Sequence, residues 1–223
     1  MRASPLKAGG VSPIVAPMKR IVIAFVAATL VGLAAFAVYL STGQRFGSGG
    51  VSGTVRTVGE ALVGGPFTLT DHSGKRVTDV DFRSRYMLVY FGYTWCPDVC
   101  PTELQVISAA LDRMGDEAAR IKPVFITVDP ERDTVAQMAD YVGSFHQSLV
   151  GLTGSAEEIA AVAKAYRVYY AKAAPDSAGN YAVDHGSLIY LMSPEGKFVT
   201  HFTYGTDPDK LAQGLEKAIG AGS

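Results

Sequence analysis

A chain of 223 residues has room for one globular domain and an anchor, but not for two full domains. Its first forty residues hold four Lys and Arg and no acid, which leaves residues 41–223 with 16 basic against 21 acidic side chains. A mildly acidic body of this kind offers no electrostatic footprint for nucleic acid, and that class of partner is excluded.

Residues 1–20 form a short basic lead that ends in Lys19-Arg20, and Ile21 to Leu40 is an uncharged apolar run. Twenty residues at about 1.5 Å each span roughly 30 Å, the thickness of a bilayer core. A buried core helix would show a polar face, and none is present here. A signal peptide has a shorter apolar region, about 7–15 residues, closed by small residues, whereas this run ends Val38-Tyr39-Leu40-Ser41. The expectation is a retained transmembrane helix over 21–40. Basic residues on its N-terminal flank favour the cytoplasmic side, which places the rest of the chain on the outer, periplasmic-type face of the cytoplasmic membrane. Residues 41–63 read as a linker whose Gly/Ser-rich part, 41–53, has an r.m.s. reach of about 20 Å.

A folded domain is expected over 64–223. Phe67–Thr70 and Val77 read as short strands around the turn Asp71-His72-Ser73-Gly74, and Tyr86–Tyr93 as a strand buried on both faces. A helix follows with Leu104, Ile107, Leu111 and Met114 on one stripe, and Val124–Val128 reads as a second buried strand. Val135, Met138, Val142 and Phe145 have helical spacing, with Asp133 or Thr134 as cap, and Ser155 with Glu158 forms a capping box for a third helix. Leu188–Met192 and Phe198–Tyr204 flank the turn Ser193-Pro194-Glu195-Gly196 as a hairpin, before a last helix carrying Leu211, Leu215 and Ile219. This order predicts an α/β, thioredoxin-like fold behind an N-terminal transmembrane helix.

Cys96 and Cys100, the chain's two cysteines, stand where a buried strand passes into a helix. In an open α/β sheet that edge binds ligands, and a helix N-terminus lowers thiol pKa. A purely structural disulfide is a poor use of them, because closing about five residues stabilises by only roughly 2 kcal/mol. A redox pair and a metal site remain. The generic redox motif has two intervening residues and this one has three. Two thiolates with an open coordination position suit a soft ion, Cu(I) above all. A peroxidase is disfavoured, since Pro-x-x-x-Thr-x-x-Cys is absent before Cys96.

Among the histidines, His72 falls in a polar turn, His146 at a helix end and His201 along a strand, and ordinary solvated or half-buried roles suffice for each. His185 differs because it precedes the run Leu188–Met192, at the loop that faces the cysteine motif in a thioredoxin-like fold. Oxidoreductases keep a proline there, and this chain has none between Asp176 and Met192. His185 is therefore the candidate third ligand. Asp129, which ends the second buried strand, and Asp184, beside the histidine, are candidates for hydrogen-bonding a ligand or placing charge next to it.

YFGYTWCPDVCPTEL, VDPERDT, and VDHGSLIYLM followed by PEGKFVTHF resemble the Sco/SenC family of copper-handling proteins, over about Gly64 to Ile219. The resemblance implies a thioredoxin-like fold and one copper ion, Cu(I) or Cu(II), bound by Cys96, Cys100 and His185. It also implies a metallochaperone role in building the dinuclear copper centre of cytochrome c oxidase subunit II, with copper received from a periplasmic donor. Gly186 stands where the family commonly has a hydroxyl residue. The competing expectation is a membrane-anchored thiol–disulfide reductase using Cys96 and Cys100 to keep the target's cysteines reduced, for which His185 is dispensable.

Overall fold

The computed structural model describes Thr29, Leu30, Leu33 and residues 63–221. The chain divides into two units, Met1–Val58 and Gly59–Ser223. In the first, the three described residues are helical. The expected transmembrane helix over 21–40 otherwise lies outside the described residues, as does nearly all of the 41–63 linker. Among the described residues no helix is long and apolar enough to cross a membrane.

The second unit is built on a seven-stranded mixed sheet in the order β2-β1-β5-β4-β3-β8-β9. Its strands are β1 (Thr68–Asp71), β2 (Arg76–Thr78), β3 (Tyr86–Gly92), β4 (Ile121–Thr127), β5 (Val150–Thr153), β8 (Ile189–Met192) and β9 (Phe198–Phe202). The helices are α1 (Val99–Met114), α2 (Val135–Val142), α3 (Ala156–Ala165) and α4 (Pro208–Ala221). Strand β3 is central, paired with β4 in parallel on one edge and with β8 in antiparallel on the other, and all seven of its residues are buried. Alternation cannot appear in a strand covered on both faces. Helix α1 packs beside α4, and α2 lies on β5.

The thioredoxin-like order is present: strand, helix, strand, helix, then hairpin and helix. The Ser155–Glu158 capping box forms, and Thr134 caps α2 by accepting from the Gln137 N–H at 3.3 Å. Two features depart from expectation. Strand β5, Val-Gly-Leu-Thr, is too short to show a period, and its pairing comes from β4 and β1 on either side. The segment before β8, expected to be a loop, contains a two-stranded antiparallel ribbon, β6 (Tyr170–Lys172) with β7 (Val183–His185), which forms no ladder with the main sheet. His185 thus ends a strand and pairs with Tyr170.

Candidate metal centre

Strand β3 ends at Gly92, and the chain turns through Tyr93–Cys96, with the Cys96 N–H bonding the Tyr93 carbonyl at 3.3 Å. Asp98 is the N-cap of α1, so Cys100 is the second helical residue and Pro101, which lacks an N–H, the third. The Cys96 sulfur accepts the Cys100 backbone N–H at 3.4 Å. Cys96 is half-buried and Cys100 is fully buried. Only glycine fits behind the buried sulfur: a Cβ on residue 92 would lie 2.8 Å from Cys100 Sγ and 2.8 Å from the Phe125 ring.

His185 enters from the ribbon. Its ring stands edge-on to Tyr93 and Tyr90, at 5.9 and 6.4 Å between centroids. Its Nδ1 lies 3.0 Å from the Gly186 carbonyl oxygen. A carbonyl only accepts, so Nδ1 carries the hydrogen and Nε2 keeps a bare lone pair. That lone pair faces Cys100 Sγ at 3.3 Å. A thiol, a second thiol and the unprotonated nitrogen of an imidazole therefore meet at the carboxyl edge of the sheet. Among the described residues no group of three or more His, Cys, Asp or Glu side chains is spaced to hold an ion as it stands.

The two sulfurs are electrostatically unequal. The Cys100 thiol hydrogen-bonds to Cys96, and with smaller help from the backbone N–H groups of Cys100 and Asp98 it brings the Cys96 pKa down to about 3 against the opposing effect of burial. Cys100, donating to Cys96 and enclosed, is pushed far up. Cys96 is the thiolate and Cys100 holds the proton. Helix α1 assists, since its N-terminal dipole end faces the Cys96 sulfur.

The SCO1/SenC family profile matches residues 55–220. The chain belongs to the SCO1/SenC family. It is 48% identical over 164 residues to the mitochondrial protein SCO1 homolog 1 of Arabidopsis thaliana, and 46% identical over 162 residues to the human mitochondrial SCO1 homolog. These matches cover 73% and 72% of this chain but 49% and 54% of those proteins, so the chain spans about half the length of the curated relatives it matches. The crystal structure of Arabidopsis thaliana ScoI with copper bound superposes with a TM-score of 0.68 at 48% identity, over 71% of this chain and 99% of that one.

The other residues singled out from sequence in this SCO1/SenC chain lie elsewhere. Asp129 is fully buried, but its carboxylate accepts from Tyr181 Oη at 2.9 Å and from the Arg132 guanidinium at 2.5 Å, rather than from a cysteine or His185. Asp184 is exposed, on the opposite face of β7 from Val183 and His185, as strand alternation requires. His72 accepts the Gly151 N–H, His146 bonds Ser148, and His201 stacks on Phe198, so each has an ordinary local role.

Sequence reasoning passed over two residues near the thiols. Glu103 Oε1 is a buried atom without a hydrogen-bond partner, and the enclosed Tyr90 Oη sits against the Cys100 sulfur, within electrostatic reach of Cys96 and Glu103. Glu103 is fully buried, bonded only weakly by the Gly205 N–H at 3.4 Å, and burial raises its pKa. The signal was available. The apolar stripe Leu104, Ile107, Leu111 continues back at helical spacing through Cys100 and Glu103, so the carboxyl had to be enclosed.

Proposed function

We propose that this chain binds one copper ion through Cys96, Cys100 and His185 and delivers it during assembly of cytochrome c oxidase. The observation that carries the proposal is the bare Nε2 of His185, 3.3 Å from Cys100 Sγ and beside a second thiol of low pKa. The donor chemistry fits. Thiolates with one imidazole favour Cu(I) over harder ions, and three protein donors leave room for an incoming fourth. With thiolate and imidazole bonds of about 2.3 and 2.0 Å and a near-tetrahedral angle, sulfur and nitrogen sharing an ion stand roughly 3.5 Å apart. The present contact needs to open by only a few tenths of an ångström, with loss of the Cys100 proton.

Family membership and the copper-bound Arabidopsis thaliana relative support the same reading. Sco proteins take part in copper delivery to cytochrome c oxidase. The receiving partner proposed here is the dinuclear copper site of oxidase subunit II, supplied through this chain by a periplasmic copper donor. The 21–40 segment is proposed to hold the domain beside the membrane-embedded oxidase. Release is ligand exchange, in which the partner's own thiols and imidazoles replace those of this chain one at a time. Copper titration of the full-length chain is expected to give a one-to-one complex with sulfur-to-copper charge-transfer absorption. Cys96→Ser, Cys100→Ser or His185→Ala should each abolish that complex or weaken it by more than tenfold. Full affinity in His185→Ala would overturn the site.

One observation favours a second reading. A half-exposed thiolate paired with a buried thiol is the division of labour of a thiol–disulfide reductase. Cys96 would attack a target disulfide, and Cys100, losing its proton, would then attack Cys96 and release the target dithiol. A Cys96–Cys100 disulfide would remain for a dithiol reductant to reopen. Oxidase assembly in cells carrying His185→Ala separates the readings: reduction survives the substitution, copper delivery does not.

A further inference from the structure

His185 reaches the cysteines from a ribbon that shares no ladder with the main sheet, so its position depends on whatever ties that ribbon down. Val183 of β7 is buried in the core and its backbone bonds Tyr93, and the further polar ties come from the β4–α2 loop. Tyr181 Oη donates to the buried Asp129 carboxylate at 2.9 Å. The Arg132 guanidinium donates to the Tyr181 carbonyl at 3.0 Å, bonds the same Asp129 carboxylate, and lies 3.6 Å over the centre of the Tyr181 ring. Lys172, on β6, pairs with Glu131 at 2.6 Å. Tyr181 stands two residues ahead of β7, the strand that ends in His185.

The same loop holds the thiol side. Asp133, fully buried, accepts from the Thr94 N–H at 3.0 Å and the Thr94 hydroxyl at 2.6 Å, two residues before Cys96. Arg132 also lies 5.7 and 5.8 Å from the ring centres of Tyr93 and Trp95. The loop itself is braced: Thr127 Oγ1 donates to Asp133 at 2.6 Å and accepts the Asp129 N–H at 2.9 Å, and the Thr153 hydroxyl donates to the Asp133 carbonyl at 2.7 Å.

We infer that Asp129, Arg132 and Tyr181 are positioning residues that set His185 against the cysteine pair, with residues 129–133 acting as one bracket for the imidazole and thiol halves of the site. The inference deepens the copper proposal and rests on it where affinity is concerned. None of the three touches the metal-binding atoms; each acts through the ribbon. Removing an outer partner of a metal ligand typically costs about 10–100-fold in affinity.

The test uses the full-length chain in two arms. Cu(I) affinity is measured by competition with a chromogenic chelator. Amide hydrogen exchange of the metal-free chain is compared between residues 183–186 and residues 94–100. Tyr181→Phe, which keeps the ring and loses only the hydroxyl, is expected to weaken Cu(I) binding about tenfold. It should speed exchange at 183–186 roughly fivefold while leaving 94–100 unchanged. Arg132→Met should do more, but it strands the buried Asp129 carboxylate and can unfold the chain, so Tyr181→Phe carries the test. In a His185→Ala background, Tyr181→Phe should cost no further affinity, since a positioning residue has nothing left to position.

Unchanged exchange and affinity in Tyr181→Phe would overturn the inference, as would an additive loss in the His185→Ala background. If the wild-type chain and His185→Ala hold copper equally, the copper proposal falls. The exchange arm then decides alone: acceleration confined to 183–186 upholds the tie, and no acceleration removes it.

Discussion

Cys96 and Cys100 lie four residues apart yet sit at opposite ends of thiol chemistry, because one proton serves both. Cys100 donates it, and the Cys96 sulfur, which also accepts a backbone N–H at the start of α1, carries the charge. The expected outcome is selective alkylation. Iodoacetamide should label Cys96 first, with a rate that stays near its plateau as pH falls from 7 to 5 and drops only towards pH 3. Cys100→Ala removes the largest cause of the lowered pKa, so the midpoint for Cys96 should move up. Mass spectrometry of tryptic peptides across a pH series reads both effects, and equal labelling of the two thiols in the wild-type chain would refute the division. That His185 would come to lie beside the two cysteines was legible in the sequence, because spacing, a strand-to-helix junction and a missing proline are written in the letters. The destination of Asp129 was not. Which oxygens meet Tyr181 depends on a contact between residues 52 positions apart.

Helix α1 carries its functional end and its liability on the same stripe. Glu103 is enclosed one turn after Cys100, with Oε1 unpaired. Its pKa is raised by burial. The folded state therefore keeps a proton that the unfolded chain releases near pH 4.3, and the contribution of this group to stability is fullest below that value and declines as pH rises through the raised folded pKa. Glu103→Gln removes the charge at similar size. It should stabilise the protein by on the order of 1 kcal/mol at pH 8 and by little at pH 4, as read from urea unfolding at the two pH values. A stability difference independent of pH would show that Glu103 is not the titrating group. Elements of this kind divide by length in how well they can be read. The seven-residue β3 and sixteen-residue α1 announce themselves by continuous or periodic apolar residues. The three-residue β6 and β7 have no period to show, and they exist because Tyr170–Lys172 finds Val183–His185 across an exposed excursion.

Across the folded unit, the sheet fixes where chemistry can occur. Parallel β3 and β4 end side by side, β8 begins next to them, and the ribbon delivers His185 to the same edge. Copper that bridges the sheet–helix junction and the ribbon should stabilise all of it by mass action: about 2.7 kcal/mol at a free-ion level a hundred times the dissociation constant. For a folded unit of this size that is a rise of roughly 5–10 °C in melting temperature. Calorimetry of metal-free and Cu(I)-loaded chain should show the rise in wild type and lose most of it in His185→Ala. Coincident melting of the two forms would argue that the ribbon takes no part in binding.

Gly92 has a consequence for traffic through such a site. With the Cys100 sulfur lodged against the strand where not even a methyl group fits, no visiting protein can approach it from behind. A newcomer meets the half-exposed outer sulfur and the imidazole first, so an ion released under the proposed function would leave by that door. In the proposed copper transfer the inner sulfur would be the last to let go, which would keep an ion from straying before the recipient has a firm grip.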